Sequence, residues 1–186
     1  MQSLTGNLLI AIPDLNDPNF FRTVVFVFQH SEEEGASGVI LNRTSDVTVA
    51  KVWDEVSMQP SNCQEFVNIG GPVEGPLIAL HTSLMFAEIP VIPGVSMSLG
   101  RENLNSLVGQ AGENGQKFKI YSGYSGWSPG QLESEIEQGG WLTLPATPEH
   151  VFDSPDGLWK QVCAQVGHDI LKPHIGNHLP DDPSMN

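Results

Sequence analysis

Several sets of side chains in this sequence have types and spacing that could do chemistry. Gly123-Tyr124-Ser125-Gly126 could present a nucleophilic serine between a strand and a helix. A nucleophile elbow needs G-x-S-x-G. Here Trp127 stands at the fifth position, so the pattern fails, and the competing reading is a glycine turn that lets Tyr124 and Trp127 pack. His81 follows the apolar run Leu77–Leu80 and could serve as a general base. Its plainer role is a hydrogen-bonded histidine inside the fold. Arg43 follows a strand end and could clamp a carboxylate or phosphate through two parallel N–H bonds. In so acidic a chain its competing role is a structural ion pair. His168, Asp169, His174 and His178 contain metal-ligand types, with His174 and His178 four apart. Pro173 and Gly176 interrupt a helix there and no His-Glu-x-x-His or Cys-x-x-Cys accompanies them, so solvated tail histidines are the expectation. No G-x-G-x-x-G or Walker-type string occurs, and neither a metal nor a cofactor is called for.

Such groups act only where the backbone holds them. The stretch Tyr121–Pro145 reads as strand, glycine turn, short helix and strand. Ser128 has the chemistry of an N-cap, Pro129 of a first helical residue, and Gln131 of the reciprocal capping-box partner. Trp127 and Leu132 have the spacing of a hydrophobic staple, and Gly139-Gly140 would end the helix. Glu133, Glu135 and Glu137 read as a solvated helix face.

Elsewhere Leu8–Ile12 is a continuous apolar run that reads as a buried strand, and Thr23–Gln29 is β-branched and aromatic and reads as a central strand. Val39–Leu41 completes a hairpin with the second of them. Val49, Val52, Trp53 and Val56 fall at helical spacing, with Asp46 or Thr48 as the cap. Phe66–Ile69, Leu77–Thr82 and Lys117–Ser122 read as strands. Val91–Leu99 reads as one or two more, broken at Pro93-Gly94. Leu104, Leu107, Val108 and Ala111 predict a helix that stops at Gly112. Thr147-Pro148 and Ser154-Pro155 read as helix starts, the second helix stopping at Gly167.

At 186 residues a single domain is expected, spanning 1–173, with a loosely ordered tail over 174–186. The chain carries 8 Lys plus Arg against 22 Asp plus Glu, a formal net charge of −14. That balance argues against direct nucleic-acid binding and against an anionic membrane surface. No apolar run is long enough to span a bilayer and the N-terminus lacks a signal-peptide pattern, which points to the cytoplasm. Cys63 and Cys163 are expected to be reduced thiols there.

The chain resembles the YqgE/AlgH family of bacterial proteins. The resemblance rests on Leu9–Pro13 with Asp17-Pro18 and Phe21-Arg22, on Gly38–Arg43, Gly70–Val73 and Leu80–Thr82, on Gly123-Tyr124 through Trp127, and on Gly130–Glu133. Trp141-Leu142, Trp159 and Gly167–Ile170 continue it. It implies an α+β fold in which a bent or branching sheet wraps helices. It also implies a label as transcriptional regulator tied to exopolysaccharide production, without an established activity.

The fold expected is therefore α+β, with a mixed, mainly antiparallel sheet around several short helices. The function expected is that of a cytoplasmic binding or regulatory protein, working through a protein partner or small ligand. Its groove would gather Asn42, Arg43, Gly70, Gly71, Pro72, His81, Gly123, Tyr124, Trp127 and Gln131. The alternative is a hydrolase acting on a small anionic substrate, with Arg43 orienting and His81 as base. Oligomeric state is left open by the sequence.

Overall fold

The computed structural model describes residues 3–15, 17–56, 58–110 and 115–175. Among these residues eleven strands and five helices form a mixed, mainly antiparallel α+β architecture in two sheets. The first sheet contains β1 (Asn7–Ala11), β2 (Val24–Ser31), β3 (Gly35–Ile40), β10 (Ser125–Trp127) and β11 (Trp141–Pro145), in the order β10-β3-β2-β1-β11. The second contains β4 (Thr44–Thr48), β5 (Phe66–Ile69), β6 (Ile78–His81), β7 (Ile89–Ile92), β8 (Val95–Ser98) and β9 (Phe118–Ser122), in the order β4-β5-β9-β6-β8-β7. Within it β5 and β9 run parallel while the other pairs are antiparallel.

Side-chain alternation along the strands explains the layering. Leu8, Ile10, Val24 and Phe26 face inward, against Ile78, Leu80, Met97 and Tyr121 of the other sheet. Leu9, Ala11, Val25 and Val27 face outward, under α3 (Gln131–Glu137). Both faces of β1 and β2 are covered, so their sequences are continuous apolar runs and not alternating ones. On the far side, Ala79 and Ile120 pack against Trp53 of α1 (Val49–Glu55) and Leu104 and Leu107 of α2 (Arg101–Gly109). Val151 of α4 (Pro148–Phe152) and Leu158, Val162 and Val166 of α5 (Leu158–Ile175) complete the inner core.

Of Asp46 and Thr48, the two residues expected to cap α1, it is Thr48 whose hydroxyl accepts from the Lys51 N–H, at 3.4 Å. Two expected helix starts fall elsewhere. Gln131 N–H donates to the Ser128 carbonyl at 3.0 Å, with Gly130 at φ 77. Ser128-Pro129-Gly130-Gln131 is thus a type II turn, and α3 begins after it, with no side-chain cap. Half of the expected box survives: the Gln131 side chain accepts from the Ser128 N–H at 3.0 Å. Likewise Gly157, at φ 77, follows Ser154-Pro155 and sets the start of α5 at Leu158. The far end of α3 is as expected. Gly140 N–H reaches the Glu135 carbonyl and Gly139 N–H the Ile136 carbonyl, both at 2.9 Å, the Schellman pairing.

α5 does not stop at Gly167. That glycine lacks the left-handed backbone of a terminating residue, and a glycine inside a helix costs only about 1 kcal/mol. β4 and β10 are short strands that the sequence reading did not anticipate. The expected stop of α2 at Gly112 falls in 111–114, outside the described residues, as does most of the expected tail, 176–186. Cys63 and Cys163 are both free; Cys63 packs in the outer cluster of the second sheet and Cys163 against the inner core. No helix among the described residues is long and apolar enough to cross a membrane.

Candidate functional site

The two sheets join at a corner where β9 runs through Gly123-Tyr124 into β10. Gly70-Gly71-Pro72 passes directly against it. Gly70 N–H donates to the Ser122 carbonyl, and the Gly70 carbonyl accepts from the Ile40 N–H, both at 2.9 Å. Ser125 is fully buried and its hydroxyl donates to that same carbonyl at 3.1 Å. The serine of the failed elbow motif is therefore a structural strut. Val73 and Tyr124 exchange backbone hydrogen bonds at 3.0 Å in each direction. The structure thus brings Gly70, Gly71, Pro72, Gly123 and Tyr124 together, backbone against backbone.

Asn42 and Arg43 lie beside this corner. Asn42 accepts from the Val24 N–H and donates to the Arg22 carbonyl, each at 2.9 Å. Arg43 does not make the expected ion pair; among the described residues its guanidinium donates to the Pro18 carbonyl at 3.3 Å. Both residues therefore fasten the loop between β1 and β2. That loop holds Arg22 at φ 53, the one non-glycine residue with positive φ among those described. Its guanidinium lies 5.0 Å from the Phe21 ring centre and 5.4 Å from that of Trp159, within cation–π range. Trp159 is in turn fixed by donating to the Ala11 carbonyl at 2.8 Å.

Trp127 and Gln131 line a different feature, on the outer face of the first sheet. A cavity of about 450 Å³ opens there between the β1–β2 loop, β10, α3 and β11. Phe20 stacks on Trp127 at 5.8 Å and meets Trp141 edge-on at 5.4 Å. One oxygen of Glu135 accepts from both indoles, from Trp127 at 3.0 Å and Trp141 at 2.9 Å. The other accepts from Gln131 at 2.9 Å. Glu135 is thus a fixed anchor and not the solvated residue expected. Glu133 is also engaged, with His30 at 2.7 Å. The Leu4 N–H donates to His30 Nδ1 at 2.9 Å, so Nε2 carries the proton toward Glu133. The backbone N–H of Glu133 first, and then His30, draw that carboxyl below the ordinary range.

His81 stands apart from all of these. It pairs with Phe118, while Tyr121 pairs with Ile78 and Gly123 lies further along β9. Five residues of strand separate Phe118 from Gly123, about 16 Å. His81 is 0% exposed, and its Nε2 meets the Ser98 hydroxyl at 3.0 Å. Burial pushes its pKa below the ordinary 6.5, against smaller opposing effects of the Ser83 backbone and Glu88. The unfolded chain therefore takes up this proton first as the pH falls. His81 makes its full contribution above about pH 6.5, and that contribution declines below it until the folded-state pKa is passed. Urea unfolding midpoints at pH 7.5 and 5.5 check this. The loss on acidification is expected to be smaller in His81→Gln than in the parent, and an equal loss in both would remove His81 as the cause.

With the geometry in place, relatives add a further line of information. The model of the AlgH-like family, DUF179, matches residues 8–171. The chain belongs to that family. A UPF0301 protein of Thermobifida fusca is 36% identical, over 99% of this chain and 96% of its own length. A UPF0301 protein of Sinorhizobium medicae is 42% identical, over 88% and 87%. The solution structure of the AlgH protein from Pseudomonas aeruginosa is 30% identical, covers 97% of both chains and superposes with a TM-score of 0.76. A Corynebacterium diphtheriae protein, at 24% identity and a TM-score of 0.68, shares the fold.

The strings that carry the family resemblance divide physically in this chain. Gly70–Val73 and Gly123-Tyr124 meet at the corner, and Asn42-Arg43 with Phe21-Arg22 fasten and form the loop. Trp127 and, from Gly130–Glu133, Gln131 line the cavity. Leu80–Thr82 lies elsewhere, in β6. Of the cavity's lining residues only Trp127 and Gln131 were singled out from sequence as site candidates. Of the others, Phe20 had no local signal, whereas Glu135 stands four after Gln131 on one helix face, a spacing that brings side chains together. Among the described residues no group of three or more His, Cys, Asp or Glu could hold a metal ion. His178 lies outside them.

Proposed function

We propose that this is a non-catalytic binding protein of the cytoplasm that influences transcription through a protein partner and not by gripping DNA. The observation that carries this reading is the Phe21–Arg22 tip of the β1–β2 loop. Phe21 is 50% exposed, and Arg22 is also exposed. Holding a non-glycine residue in the left-handed region costs of order 1 kcal/mol, and such strain clusters at working surfaces. Aromatic and arginine side chains are the types that dominate binding energy at protein interfaces. Here the guanidinium is held by two rings and pairs with no carboxylate among the described residues. The net charge of −14 supports the choice of a protein partner over nucleic acid.

The hydrolase alternative has less support. It needs Arg43 and His81 at one pocket. The Arg43 carbonyl accepts from Ile69, which pairs with Ser122, four strand residues or about 13 Å from the partner of His81. His81 is also sealed from solvent.

The test uses Phe21→Ser/Arg22→Gly, which keeps a residue suited to the backbone at position 22 and removes both side chains. Its far-UV circular dichroism and melting temperature are expected to stay near the parent's. Quantitative affinity capture is expected to lose at least tenfold of the partner signal, and the variant to fail in restoring transcript levels to a deletion strain. Undiminished capture together with full restoration would overturn the reading.

A further inference from the structure

The cavity on the outer face of the first sheet has a ligand preference written in its walls. Its carboxylates are Asp14, Asp17 and Glu135, and among the described residues no Lys, Arg or His side chain lines it. Arg43, which holds the Pro18 carbonyl, is not among its lining residues. The aromatic part is Phe20, Trp127 and Trp141, with Trp127 and Trp141 in T-shaped contact at 5.9 Å. Both indole N–H groups point at Glu135. Donation to a carboxylate makes an indole more electron-rich, which strengthens its attraction for a cation. The three hydrogen bonds occupy much of the acceptor capacity of Glu135 but leave its charge in place. A ligand here gains from charge and aromatic contact more than from donating hydrogen bonds to Glu135. Asp14 and Asp17 are exposed, and Asp17 accepts from the Asn19 N–H through one oxygen, at 2.8 Å, which leaves its other oxygen for a ligand.

We infer that this cavity binds an alkylammonium cation, the aliphatic stem lying against Phe20 and the exposed margins of Trp127 and Trp141, each 4% exposed, and the charged head between Glu135 and the two aspartates. This ligand chemistry has two sources, a free polyamine or the lysine side chain of a partner. The inference stands independently of the Phe21–Arg22 surface, because none of its ligand-binding groups belongs to that tip.

Indole N–H resonances provide the readout, since the chain has four tryptophans and only Trp127 and Trp141 line the cavity. The full chain is titrated with spermidine and, separately, with pentalysine, at fixed ionic strength and with sodium chloride as the control. Saturable shifts are expected at Trp127 and Trp141 and not at Trp53 or Trp159. Tighter binding of spermidine assigns a free polyamine, and tighter binding of pentalysine assigns a lysine side chain. Asp14→Asn/Asp17→Asn is expected to weaken binding at least tenfold. Asp54→Asn/Glu55→Gln removes the same charge from α1 and is expected to leave it within twofold. The inference is overturned if neither probe saturates, if the shifts fall on Trp53 or Trp159, or if both double variants weaken binding equally.

Discussion

Replacing Gly70 with alanine is expected to cost about 4 kcal/mol of stability, among the largest losses a single methyl group causes. A Cβ built there would lie 2.2 Å from the Gly123 carbonyl oxygen and 3.1 Å from its carbon. These are backbone atoms, and the opposing segment cannot move away alone. Gly123 is itself held at φ 71, with its own Cβ position 2.8 Å from the Gly71 carbonyl oxygen. That segment also carries the Gly70 hydrogen bonds to Ser122 and Ser125, while a third ties the Gly70 carbonyl to Ile40 of β3. Separating the two segments by an ångström would strain the first two bonds, a shift of Gly70 itself would strain the third, and either disturbs the junction of the sheets. For a chain of this size the predicted loss lowers the melting temperature by about 8–16 °C. The contrast is Gly167→Ala, inside α5, where an added Cβ meets nothing within 4 Å. That change is expected to stabilise by about 0.5–1 kcal/mol, because alanine is the better helix former. Thermal melts of both variants check the pair. A Gly70→Ala loss below about 1 kcal/mol would mean that the corner yields, and that close packing is not why glycine stands there.

The same contrast explains what could be read in advance. Strands β1, β2, β5, β6 and β9 were legible because burial on both faces, or alternation on one, writes itself into residue order. The two Ser-Pro signals were misplaced for one reason. Ser-Pro opens a helix when helical residues follow directly, but Gly130 and Gly157 each take a left-handed backbone and insert a turn first. A glycine two or three positions after the serine was the available cue. β10 pairs through only three residues, Ser125–Trp127, and its pairing with β3 depends on a partner remote in sequence. Nothing local encodes that.

The candidate residues were legible as separate strings, whereas their grouping was not. Trp127 and Arg43 are linked through one loop: Arg43 donates to Pro18, and Phe20, two residues later, stacks on Trp127. Which side of a sheet a loop falls on is a tertiary fact, so the expected single groove resolves into a corner, a loop tip and a cavity. His81 looked like a neighbour of these strings because its own string is equally distinctive. Its position in β6 is fixed by pairing with β8 and β9, which carries it away from the corner.

Glu135 is where charge, packing and the cavity meet, and its replacement should have the second large effect. Glu135→Leu keeps a side chain of similar size but leaves two indole N–H groups without an acceptor. An unsatisfied buried donor costs about 1–3 kcal/mol, and these two are partly buried, so the expected loss is about 3 kcal/mol. Glu135→Gln keeps a carbonyl oxygen for both indoles and sets its amide N–H₂ against that of Gln131, for an expected loss of about 1 kcal/mol. A simple packing role predicts the opposite order, since leucine suits an apolar surface better than glutamine does. A double-mutant cycle makes the attribution specific. In a Trp141→Phe background one indole donor is already gone, so Glu135→Leu should cost about 1 kcal/mol less than in the parent. Additivity within about 0.3 kcal/mol would remove the hydrogen bonds from the account and leave the Trp127–Trp141–Phe20 cluster held by aromatic contact alone. Coupling of the expected size would make Glu135 the residue that sets the orientation of both rings, and through them the shape of the cavity that the ammonium group would enter.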